Sequence, residues 1–406
     1  MANEVMLVGS AHSAGLSMAT RFFHFQSGEL LKSMAAMPES YDVIVGGLGA
    51  MGSAAAFQLA RRGCKVLGLD RLHPPHTFGS SHGQSRIIRE AYFEHPIYVP
   101  IVQRAYELWA ELAKASGQRL LLQTGGLMIG PPDGVVVKGT LASAQAHHLQ
   151  HELLSVADVR RRFPAIDPRD DMAAIWEPRA GIVFPELCVK AHLRFAQESG
   201  AALKFNEPVT SWSDRGDSLE VKTAQGVYHC KHLVISAGSW AKELVPELRV
   251  VVERQVLVWF EQQAPQLFNP DRCPIYLFEY ERNRYFYGFP ELGTGVKIAR
   301  HHEGLPVDAN SVDREVTLEE IKSLHELVRS FLPELAGKAL EAVVCLYTNM
   351  PDEHFLIDWH PKNPRVLVCS PCSGHGFKFS SAIGEIAADL ILTGRSRFDL
   401  TLFRWR

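Results

Sequence analysis

The residues with the clearest chemical potential are three glycines. Gly47, Gly49 and Gly52 lie in the hexapeptide Gly-Leu-Gly-Ala-Met-Gly, which begins one residue after the mainly apolar run 41–45. In this spacing the first glycine permits a tight turn, the second lets the backbone approach a pyrophosphate, and the third allows the following helix to pack closely. The helix then presents its positive N-terminus to the phosphates. The spacing predicts a dinucleotide site in which Asp70 accepts hydrogen bonds from ribose hydroxyls.

The segments around these glycines favour a βαβ unit. Residues 41–45 are typical of a buried strand, residues 53–62 favour a helix that ends at Gly63, and residues 65–70 predict a second strand. This order is typical of a nucleotide-binding α/β fold. The glycines by themselves leave NAD and FAD as alternatives.

The rest of the chain predicts two domains that alternate along the sequence. A length of 406 residues favours two domains. Residues 98–115 predict an amphipathic helix, residues 203–299 are mainly strand-like, and residues 366–392 return to strand, glycine turn and helix. The expected division is an N-terminal extension at 1–40, a discontinuous nucleotide domain at 41–90, 175–245 and 341–406, and a substrate domain at 91–174 and 246–340.

Composition and charge argue against two classes of partner. The net charge is −3 and the sequence pI is near 6.7, so no positive field attracts nucleic acid or anionic lipid. No apolar run reaches the roughly 20 residues that span a bilayer. Seven cysteines are scattered without the spacing of a disulfide framework, which favours a reducing, cytoplasmic compartment.

Five further segments, in order along the chain, resemble the signatures of one enzyme family. They are Pro74-Pro75-His76-Thr77 with Gly79-Ser80-Ser81-His82-Gly83 and Arg86-Ile87-Ile88-Arg89; residues 232–240; residues 285–290 with Lys297 and His301; Cys345-Leu346-Tyr347-Thr348 with 351–355 and Asp358; and residues 373–380. From about residue 41 to near the C-terminus, the sequence resembles the monomeric sarcosine oxidase and N-methyltryptophan oxidase family of FAD-dependent amine oxidases.

The resemblance implies the fold and the cofactor. It implies an α/β fold in which a Rossmann-like FAD domain, of the glutathione reductase and D-amino acid oxidase type, is interleaved with an α+β domain built on an antiparallel sheet. It also implies a monomer whose FAD is bound covalently, through a thioether between Cys345 and a methyl group of the flavin. The cofactor-binding residues indicated by the glycine motif and the resemblance are Gly47, Gly49, Ala50, Met51, Gly52, Asp70, Ser80, His82, Arg86, Val209, Gly238, Cys345, Gly374, His375, Gly376 and Lys378.

The resemblance further implies roles for the basic and aromatic side chains. Lys297 matches a lysine over the flavin face where oxygen reacts, and a fixed cation there would stabilise superoxide. Arg89 and Lys378 match the pair that binds the substrate carboxylate. The candidate catalytic residues are Lys297, His301, Arg86 and Tyr287, and the candidate substrate-binding residues are Arg89, Lys378, Tyr287 and Tyr347.

Several positions depart from the family pattern, mainly around the amine pocket. Ser81 and Gln84 stand where the sarcosine oxidase pattern has a histidine and an acidic residue, and Arg300 stands where an aromatic residue is familiar. Pro371 removes a backbone donor close to the flavin. The sequence therefore leaves sarcosine, N-methyltryptophan, pipecolate, proline-like and glycated amino acids as alternative substrates.

The leading functional hypothesis is an oxidase. A secondary amino acid, N-methyl or cyclic, would be oxidised to an imine that is hydrolysed to an aldehyde and an amine, while oxygen becomes hydrogen peroxide. The alternative is an FAD-dependent dehydrogenase that passes electrons to a quinone or a protein. A nicotinamide-dependent reductase would explain only the glycine motif, and a flavin-binding protein without activity would leave the matched cations unexplained.

Two other side-chain groups are expected to be structural. Asp352, Glu353, His354, Asp358 and His360 have ligand types but fit no metal-binding spacing, so we expect no metal. Cys369 and Cys372 have the spacing of a redox dithiol without a thioredoxin-like unit around them.

Overall fold

The computed structural model describes residues 39–370 and 373–406. Almost all of the predicted N-terminal extension lies outside the described residues. Pro371 and Cys372 also lie outside the described residues. The expected loss of a backbone donor at Pro371 and the expected structural role of the Cys369 and Cys372 pair therefore remain predictions. The described chain forms eight α-helices and twenty β-strands.

The elements follow one another with short connections. The helices are α1 (Ala50–Ala60), α2 (Tyr98–Ser116), α3 (Val135–Ala146), α4 (Val156–Arg162), α5 (Pro185–Glu198), α6 (Ala241–Leu244), α7 (Leu318–Val328) and α8 (Ser380–Thr393). The strands are β1 (Ser40–Gly46), β2 (Val66–Leu69), β3 (Arg86–Ile88), β4 (Leu121–Gln123), β5 (Gly126–Gly130), β6 (Glu152–Leu154), β7 (Ala173–Glu177), β8 (Gly181–Val183), β9 (Ala202–Lys204), β10 (Val209–Asp214), β11 (Leu219–Thr223), β12 (Val227–Ile235), β13 (Val251–Gln262), β14 (Ile275–Glu281), β15 (Arg284–Gly288), β16 (Val296–His301), β17 (Leu305–Pro306), β18 (Leu335–Asn349), β19 (Leu356–His360) and β20 (Asn363–Ser370).

The first sheet is built on parallel strands. Strands β9, β2, β1, β12 and β20 lie side by side and are parallel, while β10, β11 and β19 add antiparallel pairs at the margins. Strands β1, β2 and the second half of β12 are nearly continuous apolar runs, as expected for parallel strands with both faces covered. This sheet confirms the predicted α/β unit at the start of the chain and its return near the end.

The second sheet is almost entirely antiparallel. Its order is β17, β13, β16, β15, β14, β5, β7 and β6, with β18 also paired to β13. Among its described strands, only β14 and β5 are parallel. A third, small sheet orders β3, β8 and β4. The strand Leu335–Asn349 pairs only within the second sheet, so it runs through the predicted domain boundary at 340. The domain division remains a prediction.

Two glycines explain how α1 can start against the sheet. Gly47 has a φ of +92°, which favours glycine, and a Cβ at this position would lie 2.6 Å from the carbonyl oxygen of Ser236. A Cβ on Gly52 would lie 1.7 Å from the carbonyl oxygen of Gly47. Neither position can carry a side chain, as the spacing of the motif predicted.

Helix α8 packs against α1 so closely that Gly384 has no room for a methyl group. A Cβ on Gly384 would lie 2.5 Å from the carbonyl carbon of Ala54. We expect Gly384→Ala to lower the free energy of unfolding by about 1–3 kcal/mol through overpacking, although alanine is the better helix former. Calorimetric melting tests this. The control Leu392→Ala, 46% exposed in the same helix, should change stability by about 0.5 kcal/mol or less. A Gly384→Ala melting temperature equal to that of the parent would contradict the packing.

Candidate active site

A deep cleft opens at the carboxyl ends of the parallel strands. Its walls include residues at or next to the carboxyl ends of β1, β2, β12 and β20, namely Gly46, Gly47, Leu69, Asp70, Ser236 and Cys369. Ligands of open α/β sheets bind at this edge. Its lining extends from the glycine turn at Gly47 to Tyr287 and Tyr347 on the antiparallel strands. The cleft therefore joins the predicted nucleotide turn to the predicted amine pocket.

Asp70 holds the glycine-rich turn in place. One carboxylate oxygen accepts from the backbone N–H of Leu48 at 2.6 Å, and the other accepts from the N–H of Leu72 at 2.8 Å. Burial raises the pKa of Asp70 above its ordinary value, against the lowering effect of these two bonds. The side chain also lines the cleft. Its predicted contact with a ribose remains a prediction.

Most of the predicted cofactor residues line this cleft. They are Gly47, Gly49, Ala50, Met51, Asp70, Ser80, Arg86, Val209, Gly238, Gly374, His375, Gly376 and Lys378. Gly52, His82 and Cys345 are not among the lining residues. Gly52 lies against the turn, and burial together with the charge of Arg86 lowers the pKa of His82 to about 3, so this side chain stays neutral.

Cys345 lies directly behind the cleft wall. Its Sγ is 3.5 Å from a guanidinium nitrogen of Arg86, which lines the cleft, and 3.8 Å from the carbonyl oxygen of Ser80. The thiol is free and 1% exposed. Strand β18 supplies both Cys345 and Tyr347, whose side chains point to the same side because they are two residues apart.

The glycine turn fits a diphosphate. Within the described residues, the heavy atom nearest to a Cβ built on Gly49 would be Ser81 Oγ at 3.6 Å, so this position is open toward the cleft. The backbone N–H of Ala50, at the start of α1, donates to Ser81 Oγ at 3.2 Å. The space and the helix N-terminus are those that a pyrophosphate needs.

Aromatic side chains from the second sheet enclose one end of the cleft. Tyr287 from β15, His301 from β16 and Tyr347 from β18 all line it. His301 Nδ1 lies 3.2 Å from the hydroxyl of Tyr347. Burial and the neighbouring His302 hold the pKa of His301 well below its ordinary value, so the imidazole is neutral.

Two cations border the same end of the cleft. Lys378 Nζ donates to the carbonyl oxygen of His375 at 2.9 Å and to the hydroxyl of Tyr92 at 3.2 Å. Burial, followed by the charge of Arg89, lowers the pKa of Lys378 to about 7. Arg89 donates to both carboxylate oxygens of Glu94, each at 2.7 Å. Both arginine and lysine line the cleft.

Lys297 is the one predicted catalytic residue that does not line the cleft. Its Nζ donates to the carbonyl oxygens of Gly83 and Ser85, at 2.6 and 2.8 Å, and lies 3.2 Å from Ser85 Oγ. Burial and the charge of Arg86 hold the pKa of Lys297 well below its ordinary value. Three acceptors around the nitrogen nevertheless match the three N–H groups of an ammonium.

The partners of these cations were not predicted from the sequence. Glu94 pairs with Arg89, and Tyr92 contacts Lys378. Glu177 accepts from the backbone N–H groups of Glu90 and Ala91, at 2.6 and 3.0 Å, and so fixes the turn that follows Arg89. An acidic residue five positions after Arg89 was the available signal for Glu94. No local pattern points to Glu177, because its partners are more than 80 residues away.

Known proteins resemble this chain over most of its length. A family model described as FAD dependent oxidoreductase matches residues 42–390. Monomeric sarcosine oxidase of Streptomyces avermitilis is 44% identical over 374 residues, which cover 90% of this chain and 97% of the relative. N-methyl-L-tryptophan oxidase of Salmonella newport is 37% identical over 366 residues, covering 90% and 98%.

The chain belongs to the monomeric sarcosine oxidase and N-methyl-L-tryptophan oxidase family.

This FAD-dependent oxidoreductase also shares its fold with solved structures. The open form of NikD, an unusual amino acid oxidase essential for nikkomycin biosynthesis, superposes with a TM-score of 0.79 at 24% identity, covering 90% of this chain and 97% of that one. The likeness confirms the predicted D-amino acid oxidase type of FAD fold. FAD as cofactor is confirmed by the family, and the cleft and glycine turn fit it.

Two further observations concern the described residues of this oxidoreductase. None of their helices is long and apolar enough to cross a membrane. Nowhere in 39–370 and 373–406 do three or more His, Cys, Asp or Glu side chains come together as metal ligands. The expected absence of a metal remains a prediction.

Proposed function

We propose that the enzyme oxidises a secondary amino acid, N-methyl or cyclic, to an imine and reduces oxygen to hydrogen peroxide. The observation that carries the proposal is the pair of buried cations, Arg89 and Lys378, beside an aromatic chamber in the FAD cleft. A carboxylate is the substrate group that such a pair recognises. The imine would be hydrolysed to an aldehyde and an amine.

Bound FAD supplies the acceptor for the two electrons of the amine. The chain's own residues bind and orient the substrate: Lys378 donates to its carboxylate, and Tyr287, His301 and Tyr347 enclose its carbon skeleton and exclude water. The carboxylate of Glu94 is paired with Arg89, the other charges around the site are positive, and His301 is neutral, so the site disfavours the ammonium form of the substrate. The amine therefore binds without its extra proton, which is the form that can be oxidised.

Arg89 has hydrogen-bonding capacity left for a ligand. Its two bonds to Glu94 come from one terminal nitrogen, and the other terminal nitrogen donates to the carbonyl oxygen of Ala91 at 2.8 Å. A guanidinium has five N–H groups. The side chain is held over the rings of Tyr92 and Phe93, at 4.1 and 4.5 Å from their centroids, so its direction is set before substrate arrives.

The carboxylate contacts predict a large loss of catalytic efficiency toward amino acids when either Arg89 or Lys378 is removed. A charge-assisted hydrogen bond in a buried site contributes about 1.5–3 kcal/mol, so Arg89→Ala and Lys378→Ala should each lower kcat/KM for sarcosine-like amino acids by about ten- to a hundredfold or more. Steady-state peroxide assays over N-methyl and cyclic amino acids measure this. For an N-methyl amine without a carboxylate the loss should be much smaller. Unchanged amino-acid turnover in both variants would remove the carboxylate role.

We propose that the flavin is bound covalently through a thioether at Cys345. The guanidinium of Arg86 lies 3.5 Å from this sulfur, where it interacts favourably with a thiolate, the nucleophilic form of cysteine. Of the described cysteines, Cys369 is the one that lines the cleft itself, yet it lies on a strand of the first sheet and has no arginine partner among the hydrogen bonds.

Acid precipitation tests the covalent link. Flavin fluorescence should stay in the protein pellet of the parent enzyme and move to the supernatant for Cys345→Ala, because only a covalent bond survives denaturation. The matched control Cys369→Ala removes another buried thiol beside the cleft and should leave the flavin in the pellet. Flavin found wholly in the supernatant of the parent enzyme would refute the thioether.

We propose that Lys297 promotes the reaction with oxygen. Its ammonium would stabilise the negative charge that oxygen gains, an effect strongest in a dry site. Support comes from its complete burial and from Gly83 and Ser85, whose oxygens fix the nitrogen near Arg86. The alternative is an FAD-dependent dehydrogenase with a quinone or protein acceptor. Lys297 bonds backbone oxygens of residues that do not line the cleft. This placement away from the cleft favours the dehydrogenase.

Stopped-flow measurements separate these roles. Lys297→Met should slow reoxidation of the reduced enzyme by oxygen by orders of magnitude, with a much smaller effect on anaerobic reduction by substrate. Lys378→Met should show the reverse pattern. Equal losses of both half-reactions in Lys297→Met would assign it to substrate binding. Slow reoxidation of the parent by oxygen, with rapid electron transfer to a quinone, would establish the dehydrogenase.

We also propose that the enzyme is a cytoplasmic monomer acting on a small amino acid and oxygen, without nucleic acid, membrane or metal. The six cysteines of the described residues are free, and five of them are buried, as is usual in a reducing compartment. The net charge of −3 favours neither nucleic acid nor anionic lipid as a partner.

A further inference from the structure

Lys378 is held by a short chain of buried polar groups. The hydroxyl of Tyr92 lies 3.2 Å from Lys378 Nζ and 2.6 Å from His375 Nδ1. On its other side, His375 Nε2 lies 3.0 Å from the carbonyl oxygen of Glu353. Tyr92 is fully buried and is not a lining residue of the cleft, so its hydroxyl acts on a ligand only through the two lining residues that it contacts, Lys378 and His375.

The direction of every hydrogen bond in this chain follows from its ends. A carbonyl oxygen only accepts, so His375 Nε2 carries the proton. Burial lowers the pKa of His375 to about 3, which leaves Nδ1 without a proton and able to accept. Burial and Glu94 hold the pKa of Tyr92 well above its ordinary value, so its O–H donates to Nδ1. The other possible acceptor, the carbonyl oxygen of His375, is farther away at 3.4 Å and already accepts from Lys378.

We propose that Tyr92 is a positioning residue whose hydroxyl oxygen, made an acceptor by His375, fixes the Lys378 ammonium so that one N–H remains for an anionic ligand group. The inference rests on the proposed function, in which Lys378 binds the substrate carboxylate. It adds that Tyr92 orients Lys378, and it explains why binding of the carboxylate depends on the protonation of Lys378.

The number of N–H groups on Lys378 explains why the site would bind an anionic group only when Lys378 is protonated. An ammonium has three, and two of them are used by Tyr92 and by the carbonyl oxygen of His375. The backbone of Lys378 is itself held, because Trp109 Nε1 donates to its carbonyl oxygen at 2.9 Å. When Lys378 loses its proton, the same two acceptors take both remaining N–H groups. Its lone pair then occupies the third position, where it repels a carboxylate.

Of the groups that face the ammonium, Lys378 itself is the one that titrates near neutral pH; the carboxyl of Glu177, whose pKa burial raises to about 7, bonds the backbone that follows Arg89. Burial lowers the pKa of Lys378 to about 7, and a bound carboxylate would raise it again. His301 and His375 stay neutral, Tyr92 stays protonated, and Glu94 is ionised against Arg89. The charged or titratable groups facing the ammonium are Arg86, Arg89, Glu94, His301, Tyr92 and His375.

Acetate binding to the FAD-loaded enzyme tests the proposal. The dissociation constant, followed through the flavin absorbance, should be constant between about pH 6, where acetate is still ionised, and about pH 7. Above that it should rise about tenfold per pH unit, because acetate binds the ammonium form. In Tyr92→Phe the ammonium loses an acceptor. We expect acetate to bind about tenfold more weakly at low pH, and the pH at which binding begins to weaken should move downward.

Tyr98→Phe is the matched control. Tyr98 is also fully buried and bonds a histidine, with its hydroxyl 3.1 Å from His354 Nδ1, and its ring lies 4.8 Å from that of Tyr92. No hydrogen bond joins it to Lys378 in the described chain. The control should keep the acetate affinity and its pH dependence. A purely structural role of Tyr92 would lower the melting temperature without moving the pH dependence.

Two further variants complete the test. Incorporation of 3-fluorotyrosine at position 92 keeps the hydroxyl and the packing while making the oxygen a poorer acceptor, and should shift the pH dependence in the same direction as Tyr92→Phe, by less. Lys378→Met should abolish the pH dependence and weaken acetate binding. If Lys378→Met binds acetate like the parent, or if the parent binds none, the proposed function fails and the inference with it. If Lys378→Met loses binding while Tyr92→Phe and the fluorinated enzyme behave like Tyr98→Phe, only the positioning role is refuted.

Discussion

The structure depends on keeping positive charge inside a nearly dry interior. Arg86, Arg89, Lys297 and Lys378 converge around one end of the FAD cleft, and moving such groups out of water is costly unless they are hydrogen-bonded. Only Arg89 has a carboxylate partner among the described residues. The other three are held by backbone carbonyl oxygens, hydroxyls and a thiol. The region therefore keeps an excess of positive charge that an anionic ligand group can neutralise.

This constraint also explains how the two large sheets cooperate. Lys297 lies on β16 of the antiparallel sheet, yet its bonds go to Gly83 and Ser85, in the loop that leads from the nucleotide-binding unit to β3. Arg86 starts β3 and reaches Cys345 on β18. Lys297 and Arg86 are thus each stabilised by an element from another part of the chain. The arrangement holds the cleft walls together, since releasing one contact would leave a buried charge unsatisfied.

The glycine turn and the cluster of Arg86, Arg89, Lys297 and Lys378 suit different ligand groups at the two ends of the cleft. The turn after β1 offers open space and a helix N-terminus, which suit the phosphates of FAD. The far end offers aromatic walls and donors, which suit a small amino acid. The charge at the amino-acid end changes with pH near neutrality, because the pKa of Lys378 is lowered to about 7. The phosphate end relies instead on the fixed dipoles of the backbone.

The sequence by itself determined the local features. Periodicity located β1, α1 and the antiparallel middle to within a few residues, and the spacing of Gly47, Gly49 and Gly52 predicted the nucleotide turn, because these properties depend on neighbours along the chain. The family resemblance supplied the cofactor and most of the predicted residues that line the cleft. Tertiary structure decided which groups meet. The partners of Lys297 come from more than 200 positions away, and those of Lys378 include Tyr92, 286 positions away. Burial, which no sequence pattern reports, sets the pKa of Lys378 and the neutrality of His375. Such contacts depend on how the two sheets pack, and packing is a property of the whole folded chain.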